Sequence, residues 1–191
     1  AETNVGVARL LDFLAKYGPA PSDRPKVAAL DANDNPVEVS LTDPDAVLYV
    51  FKTMSEAAFG ELSFFRVYAG SVKMGSDLFN SHRKISERIG QIYLLNGKNR
   101  STAEALNAGD LGAVVKLKDT HTGNTLCGGK KVVALPKVEY PRPNIHAALR
   151  LKSKGEEDKI AVGLAALHHE DQTFLYNVDS ELHQTVISGQ G

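Results

Sequence analysis

Residues Leu62 to Asn80 read LSFFRVYAGSVKMGSDLFN, and residues Ala108 to Cys127 read AGDLGAVVKLKDTHTGNTLC. Leu62 to Tyr68 is rich in aromatic, branched and other apolar residues, which suit a pleated and partly buried surface. Gly70, Gly75, Gly90, Gly109, Gly112 and Gly123 punctuate the region at intervals that suit turns or strand bends. Upstream, Val47-Leu48-Tyr49-Val50 is a second short apolar run. From Ala46 to about Leu135, short strands follow one another with no helical period between them. That succession predicts a closed β-barrel, with strand order left open by periodicity.

On the N-terminal side, Val7, Leu10, Leu11 and Leu14 fall on one face of a helix. Thr3 or Asn4 can cap its start, and Gly18-Pro19 with Pro21 stops it. Pro25, Pro36, Pro44 and repeated Asp and Asn then read as a linker, with a short extended piece around Val27 to Leu30. On the C-terminal side, Pro136, Pro141 and Pro143 mark a boundary. Asn144 to Lys152 sets Ile145, Ala147, Leu149 and Leu151 on one face, which predicts a half-buried strand.

Ser153 or Lys154 precedes an expected helix from about Glu156 to His169. Glu156, Glu157 and Asp158 suit the positive end of its dipole, and Ile160, Gly163, Leu164 and Leu167 give it one buried face. Phe174 to Val178 and His183 to Ile187 read as a hairpin. The order β-α-β-β is the ferredoxin-like β-α-β-β-α-β plan without its last helix and strand. An unfinished sheet with a partly covered apolar face is expected. The fold class is therefore mainly β with an α+β part, a barrel followed by a truncated ferredoxin-like domain. The segments are residues 1–26, 27–136 and 137–191.

A chain of 191 residues has room for one or two cores. Its net charge of -1 argues against nucleic-acid binding by bulk charge. The distribution is uneven: Glu61 to Arg100 holds seven Lys/Arg against three Asp/Glu, and Ala1 to Gly60 holds five against nine. A basic middle beside an acidic flank can meet a polyanion locally. The single Cys127 forms no internal disulfide and fits a reducing compartment. No stretch approaches the ~20 apolar residues of a membrane span, and the start lacks a secretory-signal pattern. A cytoplasmic location is expected. Both ends read as cut rather than finished.

Leu10-Leu11-Asp12 through Pro19-Ala20-Pro21, Phe51-Lys52 through Gly60, and Leu62 through Gly70 stand in a particular order and spacing. Arg88-Ile89-Gly90-Gln91-Ile92, Ala108-Gly109-Asp110 and Gly123 through Cys127 continue it. Together they resemble the end of the GTP-binding domain and domain II of elongation factor G-like translational GTPases. Pro141-x-Pro143, Glu170-Asp171 and Gln184-Thr185-Val186-Ile187 are similar to domain III. The resemblance implies a G-domain helix remnant and linker in 1–26, the translation-factor barrel in 27–136 and a partial domain III in 137–191. The chain departs from the family pattern at Ala166, at Gln172 and at Gly189-Gln190-Gly191, where arginine, proline and Gly-Met-Gly are usual. These departures keep a paralogue, or a tetracycline ribosomal-protection-type GTPase, as the alternative.

By resemblance, the chain is the ribosome-docking middle portion of a protein that uses GTP hydrolysis in tRNA and mRNA translocation. GTP and Mg2+ are then cofactors of the full-length parent. No phosphate loop, switch threonine or guanine-specificity motif stands in this sequence, so no nucleotide site, metal site or catalysis is expected here. The implied partners are the ribosome, chiefly small-subunit rRNA, and the parent's remaining domains, with no membrane and no DNA. The candidate rRNA contacts are Arg66, Arg83, Lys84, Arg88, Lys98 and Arg100, since guanidinium forks and ammonium groups suit phosphate oxygens. Arg66 has a competing role, bracing the barrel from a strand.

Three other patterns carry less. Gly123 to Lys131 resembles a phosphate loop, but Gly129 separates Gly128 from Lys130 and no hydroxyl follows that lysine. His168-His169-Glu170-Asp171 offers four ligand types, but neighbours on a helix point apart and rarely converge on one ion. A metal-dependent hydrolase built on His168, His169 or Cys127 is therefore the weaker alternative. Cys127 itself reads as a small buried hydrophobe.

Overall fold

The computed structural model describes residues 3–56, 60–97, 99–150, 155, 157–179 and 184–191. Helix α1 (Val7–Tyr17) comes first, then the strands β1 (Lys26–Asp31) and β2 (Pro36–Ser40). The next strands are β3 (Val47–Glu56), β4 (Gly60–Ala69), β5 (Ser71–Lys73), β6 (Asp77–Asn80), β7 (Ile85–Arg88) and β8 (Ile92–Asn96). They are followed by β9 (Asn99–Ala103), β10 (Ala105–Asn107), β11 (Leu111–Val115), β12 (Thr125–Cys127) and β13 (Val133–Ala134). The last elements are β14 (Ile145–Leu149), α2 (Glu157–Glu170), β15 (Leu175–Asp179) and β16 (Gln184–Gly189).

An antiparallel sheet in the order β7-β6-β12-β3-β4-β11-β8-β9 wraps one core, supplemented by the β10-β5 pair. Leu48, Val50, Phe65, Val67, Val72, Leu78, Ile89, Ile92, Leu106, Val114 and Leu126 fill that core. Strands from both ends of the sheet order contribute, so the sheet is rolled up as the barrel reading expects. The apolar run Val47-Leu48-Tyr49-Val50 is explained by a second core. Leu48 and Val50 point into the barrel, while Val47 and Tyr49 point outward against Ala29, Val39, Val133 and Leu135. A strand buried on both faces loses its polar alternation.

The outer layer of that second core is the sheet β13-β1-β2. The proline-rich stretch expected as a linker is thus largely a hairpin. Asp31 makes its turn, accepting from Asn33 N, Asn35 N and Asn35 Nδ2 at 2.8, 2.9 and 3.1 Å. Pro36 is tolerated because β2 is an edge strand. Gly70 turns β4 into β5 at φ 61°, with Ala46 N and Pro44 O only 2.7 Å from where a Cβ would sit. A side chain there would meet both a forbidden backbone angle and a backbone wall.

Helix α1 forms as expected, but its first cap is Gly6 in a left-handed conformation, with no side-chain capping bond from Thr3 or Asn4. None of its residues is buried, and Leu10, Leu11 and Leu14 stay more than half exposed. The sheet β14-β16-β15 is antiparallel and has the expected ferredoxin-like neighbours. Strand β14 is mostly exposed rather than half-buried, with Ile145 at 56% exposure. On α2, Leu164 is buried while Leu167 remains 51% exposed, because the helix leans on β3 of the barrel as well as on β15. The expectations for Leu151, Lys152, Ser153, Lys154, Glu156 and His183 lie outside the described residues. Among the described residues, no helix is long and apolar enough to cross a membrane.

Candidate functional site

The expected cation set divides in two. Arg83 and Lys84 sit together in the turn from β6 to β7. Asn80 shapes that turn: its Oδ1 accepts from His82 N and Arg83 N, each at 3.0 Å. Lys84 has φ 58°, a left-handed position reached with its N–H on Asn80 O. The Arg83 fork closes on Asp119, with Nε to Oδ2 at 2.6 Å and Nη2 to Oδ1 at 2.8 Å. That bidentate pair holds the Asp119 carboxyl below the usual carboxylate range. Arg88 lies on β7 within 3.4 Å of Asp77, both well exposed. Lys98 lies outside the described residues.

Arg66 and Arg100 belong to another surface. Strand register aligns Lys52, Phe64, Ala113, Tyr93 and Thr102 in one outward row across β3, β4, β11, β8 and β9. The adjacent row holds Tyr49, Arg66 and Leu111, and the antiparallel register carries that same row on to Leu95 and Arg100. Phe65, Val67, Val114 and Ile92 occupy the alternate, inward positions. Phe51 sits at the bulge in β3, 42% exposed, its ring 6.3 Å from that of Phe64. These positions carry aromatics and three cations and no carboxylate. Arg66 stacks 5.0 Å over Tyr68 and also borders a cavity of about 510 Å³ with Arg24 and Lys26. The Arg66 side chain is half-buried in this position.

The residues that sequence reasoning missed form a buried polar network behind the Arg83 turn. Glu87, 1% exposed, accepts from Lys118 N at 2.9 Å, Asp119 N at 2.9 Å and Thr120 Oγ1 at 2.7 Å. Asn80 Nδ2 donates to Thr120 Oγ1 and Asn124 Oδ1 at 2.9 and 3.0 Å. These bonds pin the loop between β11 and β12. A signal was readable: in Ile85-Ser86-Glu87-Arg88-Ile89, strand alternation puts Glu87 on the face of Ile85 and Ile89.

The pinned loop presents His121 and Thr122 to α2. Thr122 Oγ1 donates to the His169 carbonyl at 3.2 Å and lies 3.1 Å from Thr53 Oγ1. Ser55 N donates to Glu170 Oε1 at 2.5 Å. The His121 and His169 rings stack at 3.9 Å between centroids and 10° between planes. His121 Nε2 is 3.1 Å from Asp119 Oδ1. Its buried Nδ1 is 3.4 Å from Glu61 Oε1, within ion-pair reach but not aligned as a hydrogen bond.

The four residues of the HHED run face different partners. His168 Nδ1–H donates to Phe174 O at 2.7 Å, and Asp171 accepts from Thr173 N and Oγ1. His169 and Glu170 face the barrel. Among the described residues, no three His, Cys, Asp or Glu side chains are grouped to hold a metal. Cys127 is 3% exposed, its Sγ donates to Val133 O at 3.2 Å, and burial pushes the thiol up. Thr125–Cys127 is strand β12, and Gly128 N is spent on Ala46 O, so this glycine-rich segment does not fit a phosphate cradle.

A family model for elongation factor G domain 2 matches residues 45–129, and one for elongation factor G domain III matches residues 140–191. The fold is similar to a crystal structure of a protein from Thermus thermophilus, with a TM-score of 0.76 and 25% identity. That match covers 97% of this chain and 26% of the other, so the chain spans about a quarter of that protein's length. A rolled antiparallel barrel joined to a β-α-β-β unit, with both parts matched in order by the two family models, places this chain in the elongation factor G family of translation factors, as a domain II with domain III sequence.

Proposed function

We propose that this chain is the ribosome-docking middle portion of an elongation factor G-like protein, and that the outward face of β9-β8-β11-β4-β3 rests on small-subunit rRNA. The observation carrying this reading is the pair of adjacent rows that set Lys52, Arg66 and Arg100 among Phe51, Phe64 and Tyr93, with no carboxylate at the strand positions between them. Cations attract phosphates and release their counterions, while aromatic faces accept unpaired bases. The Arg83–Lys84 turn is a second contact, weaker because Asp119 already occupies the Arg83 fork. In this reading the full-length protein binds GTP with Mg2+, hydrolyses it in domains other than these, and assists tRNA and mRNA movement. Domain II supplies a rigid contact, and α2 with its sheet couples that contact to the other domains.

Co-sedimentation with isolated small ribosomal subunits over a salt series tests the docking role. Binding is expected to weaken as salt rises. Arg66→Ala with Arg100→Ala is expected to lower affinity and flatten the salt slope by about one per lost phosphate contact. Arg83→Ala with Lys84→Ala is expected to have the smaller effect. No binding at low salt, or full binding by the Arg66/Arg100 variant, overturns this surface.

A further inference from the structure

We propose that His121 and His169 form a one-proton latch fastening α2 to the barrel, so that this contact loosens when the pair gains a second proton and also when it loses its only one. The proposal rests on geometry at the junction and is independent of ribosome docking. The two rings come from different units, the loop after β11 and the end of α2, and they stack face to face at 3.9 Å. Each ring sees a different set of charges.

His121 lies between two carboxylates, with Nε2 3.1 Å from Asp119 Oδ1 and Nδ1 3.4 Å from Glu61 Oε1. Neutral imidazole has a bare lone pair on one nitrogen, which would face one of those carboxylates. The imidazolium presents N–H on both sides, and its proton is favoured. His169 faces the opposite situation. Its ring is partly buried against His121, with the His168 ring 6.2 Å away on its own helix. The Arg83 charge also disfavours a second proton, and only Glu61 favours one. A neutral His169 ring can offer its π face to a charged His121, whereas a charged one is repelled.

The shifts agree in direction. The nearby Glu61, and Asp119 after it, hold His121 above the ordinary value despite burial. Burial, then the His121 charge, holds His169 below it. The His121 contribution is therefore complete below about 6.5 and is lost as pH rises through its raised folded value. The His169 contribution is present above about 6.5 and is lost as pH falls through its depressed folded value. Docking is strongest between the two. The other bonds at the junction, Ser55 N to Glu170 and Thr122 Oγ1 to the His169 carbonyl, report whether α2 is seated.

Two-dimensional amide NMR of the whole chain from pH 5 to 9, with both imidazole C–H signals followed, tests the latch. The Ser55 amide is expected to sit furthest downfield in a band around neutral pH and to retreat at both ends, with midpoints matching the two rings. His169→Phe keeps a ring in the stack and cannot charge, so the acid-side midpoint should vanish while the alkaline one remains. His169→Gln, which removes the ring, should also remove the acid midpoint and shift Ser55 upfield at every pH. Barrel amides remote from α2 confirm that each variant folds. A Ser55 amide that is flat across the range, or an acid midpoint that survives in His169→Phe, overturns the proposal.

Discussion

Glu87 lies inside the barrel wall with both carboxylate oxygens occupied by two backbone N–H groups and the Thr120 hydroxyl. A charged-group hydrogen bond is worth about 1.5–3 kcal/mol when its partner is removed from a buried site. Glu87→Ala leaves Lys118 N and Asp119 N without acceptors, so with two such bonds lost it is expected to cost roughly 3–6 kcal/mol in urea unfolding. The loop between β11 and β12 should lose hydrogen-exchange protection at the same time. A variant as stable as the parent would show that water satisfies those amides. Gly70 is the other decisive position, because its φ of 61° brings the backbone against Pro44 and Ala46. Gly70→Ala is expected to lower stability by at least about 1–2 kcal/mol, from the left-handed angle alone.

Helix α1 and strand β3 show how an amphipathic pattern and its burial come apart. Strand β3 has a continuous apolar run because two different cores claim its alternate residues. Helix α1 has a clear apolar stripe, yet nothing in the described structure covers it. Substituting its apolar face should therefore leave the barrel almost untouched. Leu11→Glu with Leu14→Glu is expected to shift barrel stability by no more than about 0.5 kcal/mol, the ordinary range for exposed positions. A larger loss, measured by denaturant midpoint, would mean that the stripe packs on the barrel in solution.

The molecule divides its burial unequally. Among the described residues, Leu164 is the sole buried apolar side chain after Leu135, whereas the two cores before it hold twenty buried positions. Stability in such a chain is graded, and regions with little buried apolar surface open first. Native-state hydrogen exchange should find β3, β4 and β11 opening only near the global free energy, and β14, β15 and β16 well below it. Equal protection in both parts would show that α2 transmits the barrel's stability to the sheet behind it.

Several elements are legible in the sequence, because they depend on local pattern. The helix at Val7, the strands around Val47 and Leu62, the β-α-β-β order after Pro143 and the barrel class all follow from period, turn residues and their spacing. The resemblance carried by the quoted motifs pointed to the family that the matched models support. The prolines around Pro25 and Pro36 misled, since an edge strand tolerates what a central strand does not. The candidate surface was legible only as a set of cations. Register decided that Arg66 and Arg100 share a face with Lys52, and a pairing across 36 residues decided that Arg83 is occupied by Asp119. The same holds for Glu87 under its loop and for His121 against His169 across the barrel–helix junction. Local sequence sets which way each backbone segment folds, because propensity and period act over a few residues. Which charges meet depends on contacts between distant segments, and only the packed chain brings those together.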